Sequence, residues 1–595
     1  MTDAIPFHTA EQCIHDRFDK IVSIIPDHPA VSDEHQTLTY KELFKHSNRM
    51  AHSIIATLGN GNSNIGLLID NNIYQVIAIL GILKSGRSYV PLDPGFPVER
   101  NKFILEDAGC KILLCSSDTK KQAEEIAGEI HVLVADKLSL QIPESKPQTI
   151  GLPESNAITL YTSGSTGKPK GVLQSHRNML HFIKRMTELY PLLPDDKVAY
   201  FLSVAFSAHA LPLLGALLSG CELKMHSFKS GNFLDFSKWM RESGISFAMM
   251  IPSFLRHFLS AQDKKDKYPD LRLLLLGGET LYRSDVEKAR KVFHPSIEMV
   301  NIYASTEAYL MRSFSIKKDT ILKTNIVPIG YPVDGMELRL LDENNKQPGH
   351  KESGEIIVSS KYLTEGYWKR PDLQTSDFST SRKDESIRAF NTSDSAYLLE
   401  DGCMVHTGRK DAVIKLRGYR IDFGEIINIL LQNAEVKEAA CALKEDESGT
   451  EHIIAYVVPA HQEHYNSELT RGLLVRLLPD YMIPSHIIEI DELPKNTSGK
   501  LDIKALPEPA WAGGISVEKE NPANEIELTL VNIFERVLKI SPIGTNENFL
   551  KLGANSLGLF VAFSEVEKKF DVKIDVKTTI ENPNIKSLAS LIRQQ

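Results

Sequence analysis

The segment Tyr161-Thr162-Ser163-Gly164-Ser165-Thr166-Gly167-Lys168-Pro169-Lys170-Gly171 concentrates more chemistry than any other stretch of the chain. Its three glycines let the backbone turn and approach a ligand closely, four hydroxyls donate hydrogen bonds, and two lysines add positive charge. That combination suits a polyphosphate. It is not a Walker loop, which requires GxxxxGK[ST], because Pro169 follows Lys168. The apolar run Ala157-Ile158-Thr159-Leu160 precedes it, as a strand feeding a ligand-binding loop would.

The elements that must hold this loop follow from the surrounding pattern. From Leu38 to Leu363, runs such as Ile65-Gly66-Leu67-Leu68-Ile69, Lys111-Ile112-Leu113-Leu114, Val132-Leu133-Val134 and Leu273-Leu274-Leu275-Leu276 alternate with stretches of helical spacing. This alternation predicts an α/β lobe with mainly parallel strands. Between Gly354 and Gly408 dense Gly, Pro and Asp punctuation predicts strands and tight turns. A second unit mixes β runs (Ile453 to Val458) with a helix (Gly424 to Gln432), and Leu506-Pro507-Glu508-Pro509 opens a linker. The end of the chain predicts a small bundle: a stripe from Leu528 to Val537, a helix Ser556 to Phe570 and another Ile585 to Ile592. The expected division is therefore residues 1–408, 409–509, a linker 510–520 and 521–595.

Composition narrows the function classes. The 595 residues are 42% hydrophobic, enough for several cores, and Lys+Arg 68 against Asp+Glu 77 gives a net charge of −9. With no basic surplus to attract a phosphate backbone, nucleic acid is not an expected partner. Cys13, Cys110, Cys115, Cys221, Cys403 and Cys441 are scattered without a CxxC pair, which argues against a zinc or disulfide framework. No basic-then-apolar leader opens the chain and no apolar run is long enough to span a bilayer. A cytoplasmic protein without membrane contact is expected.

The loop resembles the signature loop of adenylate-forming enzymes, specifically non-ribosomal peptide synthetase adenylation domains, and the resemblance continues in order. Leu38-Thr39-Tyr40-Lys41-Glu42-Leu43 and Leu83-Lys84-Ser85-Gly86-Arg87-Ser88-Tyr89-Val90-Pro91-Leu92-Asp93 are similar to its early, mainly structural motifs. Asn301-Ile302-Tyr303-Ala304-Ser305-Thr306-Glu307 resembles its NxYGPTE motif. Gly366-Tyr367-Trp368-Lys369-Arg370-Pro371, Thr392-Ser393-Asp394, Gly408-Arg409-Lys410-Asp411, Lys415-Leu416-Arg417-Gly418 and Asn496-Thr497-Ser498-Gly499-Lys500 follow. Leu552-Gly553-Ala554-Asn555-Ser556-Leu557 resembles the LGGxSL motif of peptidyl carrier domains. The first lobe is thus expected to be an adenylation core, the second its mobile subdomain and the last a carrier.

The resemblance implies roles. ATP would bind through Thr162, Ser163, Gly164, Ser165, Thr166, Gly167 and Lys168, with Gly278 and Tyr303 at adenine and Asp394 and Arg409 at ribose. Thr306, Glu307 and Lys500 would serve catalysis: Thr306 at the phosphates, Glu307 on Mg²⁺, a cation that favours oxygen ligands, and Lys500 bridging substrate carboxylate, ribose and α-phosphate. Asp411 would be the hinge about which the small lobe rotates, with Lys415 and Gly418 beside the thiol tunnel. Ser556 would carry 4′-phosphopantetheine, at a helix N-terminus whose N–H groups and dipole favour a phosphodiester; a plain helix cap is the alternative reading of that serine.

Substrate positions carried across are Phe206, Ser207, Ala208, Leu211, Leu275, Gly277, Ile302, Leu310 and Met311. Most amino-acid-activating members have Asp where Ser207 stands, so the expected substrate is an apolar acid lacking a free α-amine, such as an aliphatic, aryl, hydroxy or keto acid, or an amino acid held by a different anchor, with His209 or Tyr309 as sources of polarity. His406 stands where Phe or Tyr is usual, and Ala304, Ser305 and Ser393 depart from Gly, Pro and Gly. The implied activity is ATP-dependent formation of an acyl-adenylate and thioester loading onto Ser556, in a loading or stand-alone module. The alternatives are an acyl-CoA ligase using free coenzyme A and a degenerate carrier scaffold. Expected partners are the acid, a phosphopantetheinyl transferase, and a downstream condensation, reductase or transferase protein acting in trans.

Overall fold

The computed structural model describes the chain except residues 1–2, 150, 164–168, 229–232, 263–267, 343, 345, 350, 372, 374–376, 381–383, 385, 410–412, 417–418, 447–450, 461–464, 495–500, 502, 510–519, 539–541, 548, 550–555, 571, 573, 575–583 and 595. By internal contacts the chain forms two units, one holding Met1–Ser227, Met240–Leu255 and Lys264–Asp422, the other Phe228–Trp239, Arg256–Asp263 and Phe423–Gln595.

Among the described residues the first unit contains a nine-stranded and a seven-stranded sheet, which share one apolar core. In the nine-stranded sheet Leu273–Gly277 runs parallel to Phe247–Met250 and to Glu298–Ser305, and Glu298–Ser305 pairs antiparallel with Tyr309–Ile316. In the seven-stranded sheet Asn64–Leu68, Ser88–Pro91, Ile112–Cys115 and His131–Val134 are parallel. Asn64–Leu68, Ser88–Pro91, Ile112–Cys115, Phe247–Met250 and Leu273–Gly277 are buried on both faces, which is why they read as continuous apolar runs, whereas His131–Val134 at the sheet edge is not buried. Every residue of the helix Ala210–Ser219, and every residue but Tyr74 of Ile73–Lys84, is buried, matching their apolar character all round. A smaller sheet contains Gly354–Ser360, Arg388–Leu398 and Met404–Arg409, as the dense turn residues require.

The early motifs have structural explanations. Thr39 caps the helix Tyr40–Leu58: Glu42 N donates to its hydroxyl (3.2 Å) and Thr39 N donates to Glu42 Oε2 (2.8 Å), a reciprocal capping box. Lys84 is buried, donates to Asn48 Oδ1 (2.8 Å), pairs with Asp19 (3.3 Å) and lies over the Phe44 ring (3.9 Å). Burial lowers its pKa to about 8, so the paired carboxylate is what keeps this interior cation tolerable.

Buried histidines make this unit acid-sensitive. His176 Nδ1 accepts the Ile14 amide (3.2 Å), His181 stacks on Tyr362 (3.4 Å between centroids), and His209 lies between the Tyr89 hydroxyl (2.8 Å) and the Phe206 carbonyl (2.6 Å). Burial pushes His176 and His181 down to about 3 and His209 to about 4. Above pH 6.5 both folded and unfolded chains hold them neutral; below it only the unfolded chain takes up protons. Stability is therefore expected to be flat above pH 7 and to fall toward pH 4, by up to about 1.4 kcal/mol per histidine per pH unit. Urea midpoints measured from pH 8 to 4.5 check this.

In the second unit Val436–Glu445, Glu451–Pro459 and His486–Glu489 form a sheet against the helix Phe423–Gln432. The helices Glu525–Leu538, Ser556–Phe570 and Ile585–Gln594 enclose a separate core around Leu530, Phe534, Phe563 and Leu588. No described helix is long and apolar enough to cross a membrane.

Candidate functional site

The phosphate loop joins Asn156–Thr162 to Lys170–Ser175, antiparallel neighbours in the seven-stranded sheet, so the chain reverses direction across it. Residues 164–168, its centre, lie outside the described residues. At its start Ser163 is buried, and the buried Thr162 Oγ1 has no hydrogen-bond partner among the described residues. An orphaned hydroxyl costs about 1 to 3 kcal/mol, and a phosphate oxygen would satisfy it. Lys170, which charge alone groups with Lys168, is instead buried over the Tyr367 ring at 3.9 Å and 3.5 Å from Asp377 Oδ2.

Thr306 and Glu307 sit in the turn between Glu298–Ser305 and Tyr309–Ile316. Gln174 Nε2 donates to the Thr306 carbonyl (2.6 Å) and Thr364 N to the Glu307 carbonyl (2.8 Å), so the turn is pinned to Lys170–Ser175 of the seven-stranded sheet and to the segment leading into Gly366–Tyr367. Glu307 is completely buried, and its carboxylate with the Thr306 hydroxyl forms an all-oxygen donor set that fits Mg²⁺. The departures from the motif are absorbed locally. Ser305 Oγ accepts the Ala308 amide (3.2 Å), and the register shifts at Tyr303/Ala304.

Asp394 is buried, and the Tyr303 hydroxyl donates to its Oδ2 at 2.6 Å. Arg409 stands opposite Asp394 in the strand register. His406 Nε2 is 3.6 Å from Asp394 Oδ1, beyond a hydrogen bond, and its ring lies 5.9 Å from that of Tyr303. These residues are brought together as a nucleoside site would need, and Gly278 follows Leu273–Gly277 with an exposed backbone at φ 90°. Ser393 has φ 58°, the left-handed region where glycine is favoured. Ser393→Gly is expected to stabilise the fold by up to about 1 kcal/mol, since the relief of strain exceeds the added chain entropy. Urea denaturation of the variant measures it.

Among the substrate positions, Leu211, Leu275, Ile302, Leu310 and Met311 belong to one buried cluster against which Ala208 packs. Gly277 pairs with Ile302, whose side chain fills the space a Cβ there would need (2.5 Å). The Thr306 hydroxyl donates to Ser207 Oγ at 3.2 Å, and Phe206 meets the rings of Phe96 and Tyr419 edge-on. Lys500, Asp411 and Gly418 lie outside the described residues. Lys415 is on Val413–Leu416, and Ser556 opens the helix Ser556–Phe570.

Sequence reasoning missed Gln174, Thr364, Tyr367 and Asp377 as supports of the Thr306-Glu307 turn. Only the Gly366-Tyr367 dipeptide left a signal, within a quoted motif. It also missed that Cys13, His15 and His176 bring three potential ligand atoms within 4.8 Å. The lone pair of His176 Nδ1 is already used by the Ile14 amide.

An α/β lobe that gathers a Ser/Gly/Lys loop, a buried Thr-Glu turn and a buried carboxylate beside a tyrosine defines the adenylate-forming class of ligase. The chain belongs to the AMP-binding enzyme family, whose model matches residues 18–368. The AMP-binding enzyme C-terminal domain matches residues 425–500 and a phosphopantetheine attachment site residues 529–592. The cofactors are accordingly ATP with Mg²⁺ and 4′-phosphopantetheine.

Gramicidin S synthase 2 of Aneurinibacillus migulanus is 32% identical over 98% of this chain, and tyrocidine synthase 1 of Brevibacillus parabrevis 29% over 98%. The chain spans 13% and 52% of those two proteins. The structure of holo-PA1221, a non-ribosomal peptide synthetase protein containing adenylation and carrier domains bound to a vinylsulfonamide inhibitor, matches with a TM-score of 0.81 at 21% identity, covering 98% of this chain and 97% of that one.

Proposed function

We propose that this chain activates a carboxylic acid as its adenylate and transfers the acyl group to a phosphopantetheine arm on Ser556. The carboxylate oxygen attacks the α-phosphorus and pyrophosphate leaves, with negative charge building on the equatorial oxygens. Thr162 and the loop hydroxyls bind the phosphates, Asp394 accepts from the ribose hydroxyls, and Lys500 offsets charge at the α-phosphate. Glu307 would hold Mg²⁺, which would offset part of the phosphate charge. Residues 1–408 form the core, 409–509 a lobe hinged at Asp411, and 521–595 the carrier behind a linker 510–520. The observation that carries the reading is the buried Asp394–Tyr303 pair, together with the pinned Thr306-Glu307 turn and the matched attachment site.

The substrate is an apolar acid without a free α-amine. Ser207 places a neutral hydroxyl, already bonded to Thr306, where an ammonium would need an anion. His209 cannot replace it: both ring nitrogens are engaged and burial keeps it neutral. An unpaired ammonium buried against Leu211, Leu275 and Ile302 would cost several kcal/mol. Tyr309 retains a polar contact, because its buried hydroxyl has no partner among the described residues.

Intact-mass measurement of the pantetheinylated chain with ATP, Mg²⁺ and a panel of acids tests the proposal. An acylated carrier is the expected result. Acyl-coenzyme A as the only product identifies an acyl-CoA ligase, and an unchanged mass across the panel identifies a carrier scaffold. Pyrophosphate exchange with ordinary α-amino acids alone would overturn the substrate reading. The acyl group then passes from the arm to a downstream acceptor.

A further inference from the structure

Three ionisable side chains form a cluster with Glu307. Tyr367 lies on Gly366–Tyr367, which pairs antiparallel with Lys170–Ser175. Its hydroxyl is 2.9 Å from Asp377 Oδ2 and 3.3 Å from Glu307 Oε1. Lys170 Nζ lies over the same ring at 3.9 Å and 3.5 Å from Asp377 Oδ2. Lys170, Tyr367 and Glu307 are all nearly or completely buried. The backbone of the turn is fixed separately, by Gln174 at the Thr306 carbonyl and by Thr364 at the Glu307 carbonyl.

We propose that Tyr367 is a positioning residue for Glu307, and that Lys170 acts through Tyr367 rather than on the phosphates. The charge arithmetic of the group favours this. Two carboxylates face one ammonium, so the four groups together keep one negative charge. The phenolic hydroxyl has a single proton and can donate to one carboxylate at a time. Lys170, beside Asp377, offsets that carboxylate when the proton turns to Glu307. Its position over the ring also makes the hydroxyl a better donor, as a cation on an aromatic face draws electron density toward itself. Glu307 Oε1 is then held by Tyr367, which fixes the orientation in which the carboxylate meets the cation. Lys170 is engaged by the ring and Asp377, at the strand end of the loop.

This rests on Glu307 as the Mg²⁺ residue, and the experiment separates the two claims. Mn²⁺ serves as the probe, with a non-hydrolysable α,β-methylene ATP analogue, and free Mn²⁺ is read by electron paramagnetic resonance. Tyr367→Phe keeps the buried ring and removes only the hydroxyl. It is expected to weaken Mn²⁺ binding by roughly tenfold, the effect of losing a hydrogen bond to a charged group. The Mg²⁺ concentration giving half-maximal pyrophosphate exchange should rise by a similar factor, while KM for the acid stays within about twofold. Lys170→Met is expected to shift Mn²⁺ affinity in the same direction, and the double variant to be little worse than Tyr367→Phe, because both act through one hydroxyl. A melting temperature close to that of the parent chain verifies each variant's fold.

Mn²⁺ affinity weakened by Glu307→Gln and unchanged by Tyr367→Phe overturns the positioning role alone. Mn²⁺ affinity unchanged by Glu307→Gln overturns the metal assignment beneath it. Fully additive losses in the double variant would show that Lys170 contacts the phosphates directly.

Discussion

Ser556→Ala is expected to abolish covalent loading while leaving acid activation intact. Incubated with coenzyme A and a phosphopantetheinyl transferase, the parent chain gains the mass of the arm and, with ATP and its acid, the mass of the acyl group. The variant should gain neither. The reason is chemical: the arm forms a phosphodiester with a serine oxygen, and Ala offers no nucleophile. Helix geometry adds to it, since Ser556 is the first residue of Ser556–Phe570, where unpaired N–H groups and the dipole stabilise the phosphodiester anion. Pyrophosphate exchange reports adenylation alone, which does not involve the Ser556 oxygen, and should stay within about twofold of the parent. Mass gain by the variant would move the attachment point elsewhere in residues 529–592, the matched attachment region.

Lys500→Ala is expected to slow adenylation by on the order of 10²- to 10³-fold, the typical effect of removing one positioned group that stabilises transition-state charge. Charge grows on the α-phosphate oxygens during attack, and a neutral methyl group in place of the ammonium would remove one of the cations proposed to offset it. The second half-reaction behaves differently. Thiol attack on a supplied acyl-adenylate would not need Lys500 at the phosphate, since the proposed hinge at Asp411 would let the small lobe withdraw it. That step should stay within a few-fold when purified adenylate is given to holo protein and loading is followed by mass. Equal losses in both steps would mean that Lys500 serves substrate binding generally.

The fold was largely readable because its signals are local. The predicted helix Ser556 to Phe570 coincides with the observed Ser556–Phe570, and Gly424 to Gln432 falls one residue short of Phe423–Gln432. Apolar runs at Leu273 to Leu276 and Ile453 to Val458 lie within Leu273–Gly277 and Glu451–Pro459. Strands buried on both faces announce themselves as unbroken hydrophobic runs, and helix periodicity survives in a single sequence.

The sequence by itself determined which residue types stand in which motif: the hydroxyl, glycine and lysine loop, the Thr306-Glu307 pair, Asp394, and a serine at a helix start. The tertiary structure alone decided how those groups are used. Lys170, two residues after Lys168, is turned onto Tyr367 and Asp377, from a strand about 200 residues away in the chain. Ser207 is joined to Thr306, and His209 is kept neutral by burial with both ring nitrogens held by Tyr89 and Phe206. His176 caps Ile14 across 162 residues. Such contacts depend on which strands become neighbours, and composition and spacing do not carry that information. A buried charge or hydroxyl must find its partner wherever the sheets bring one within hydrogen-bond distance.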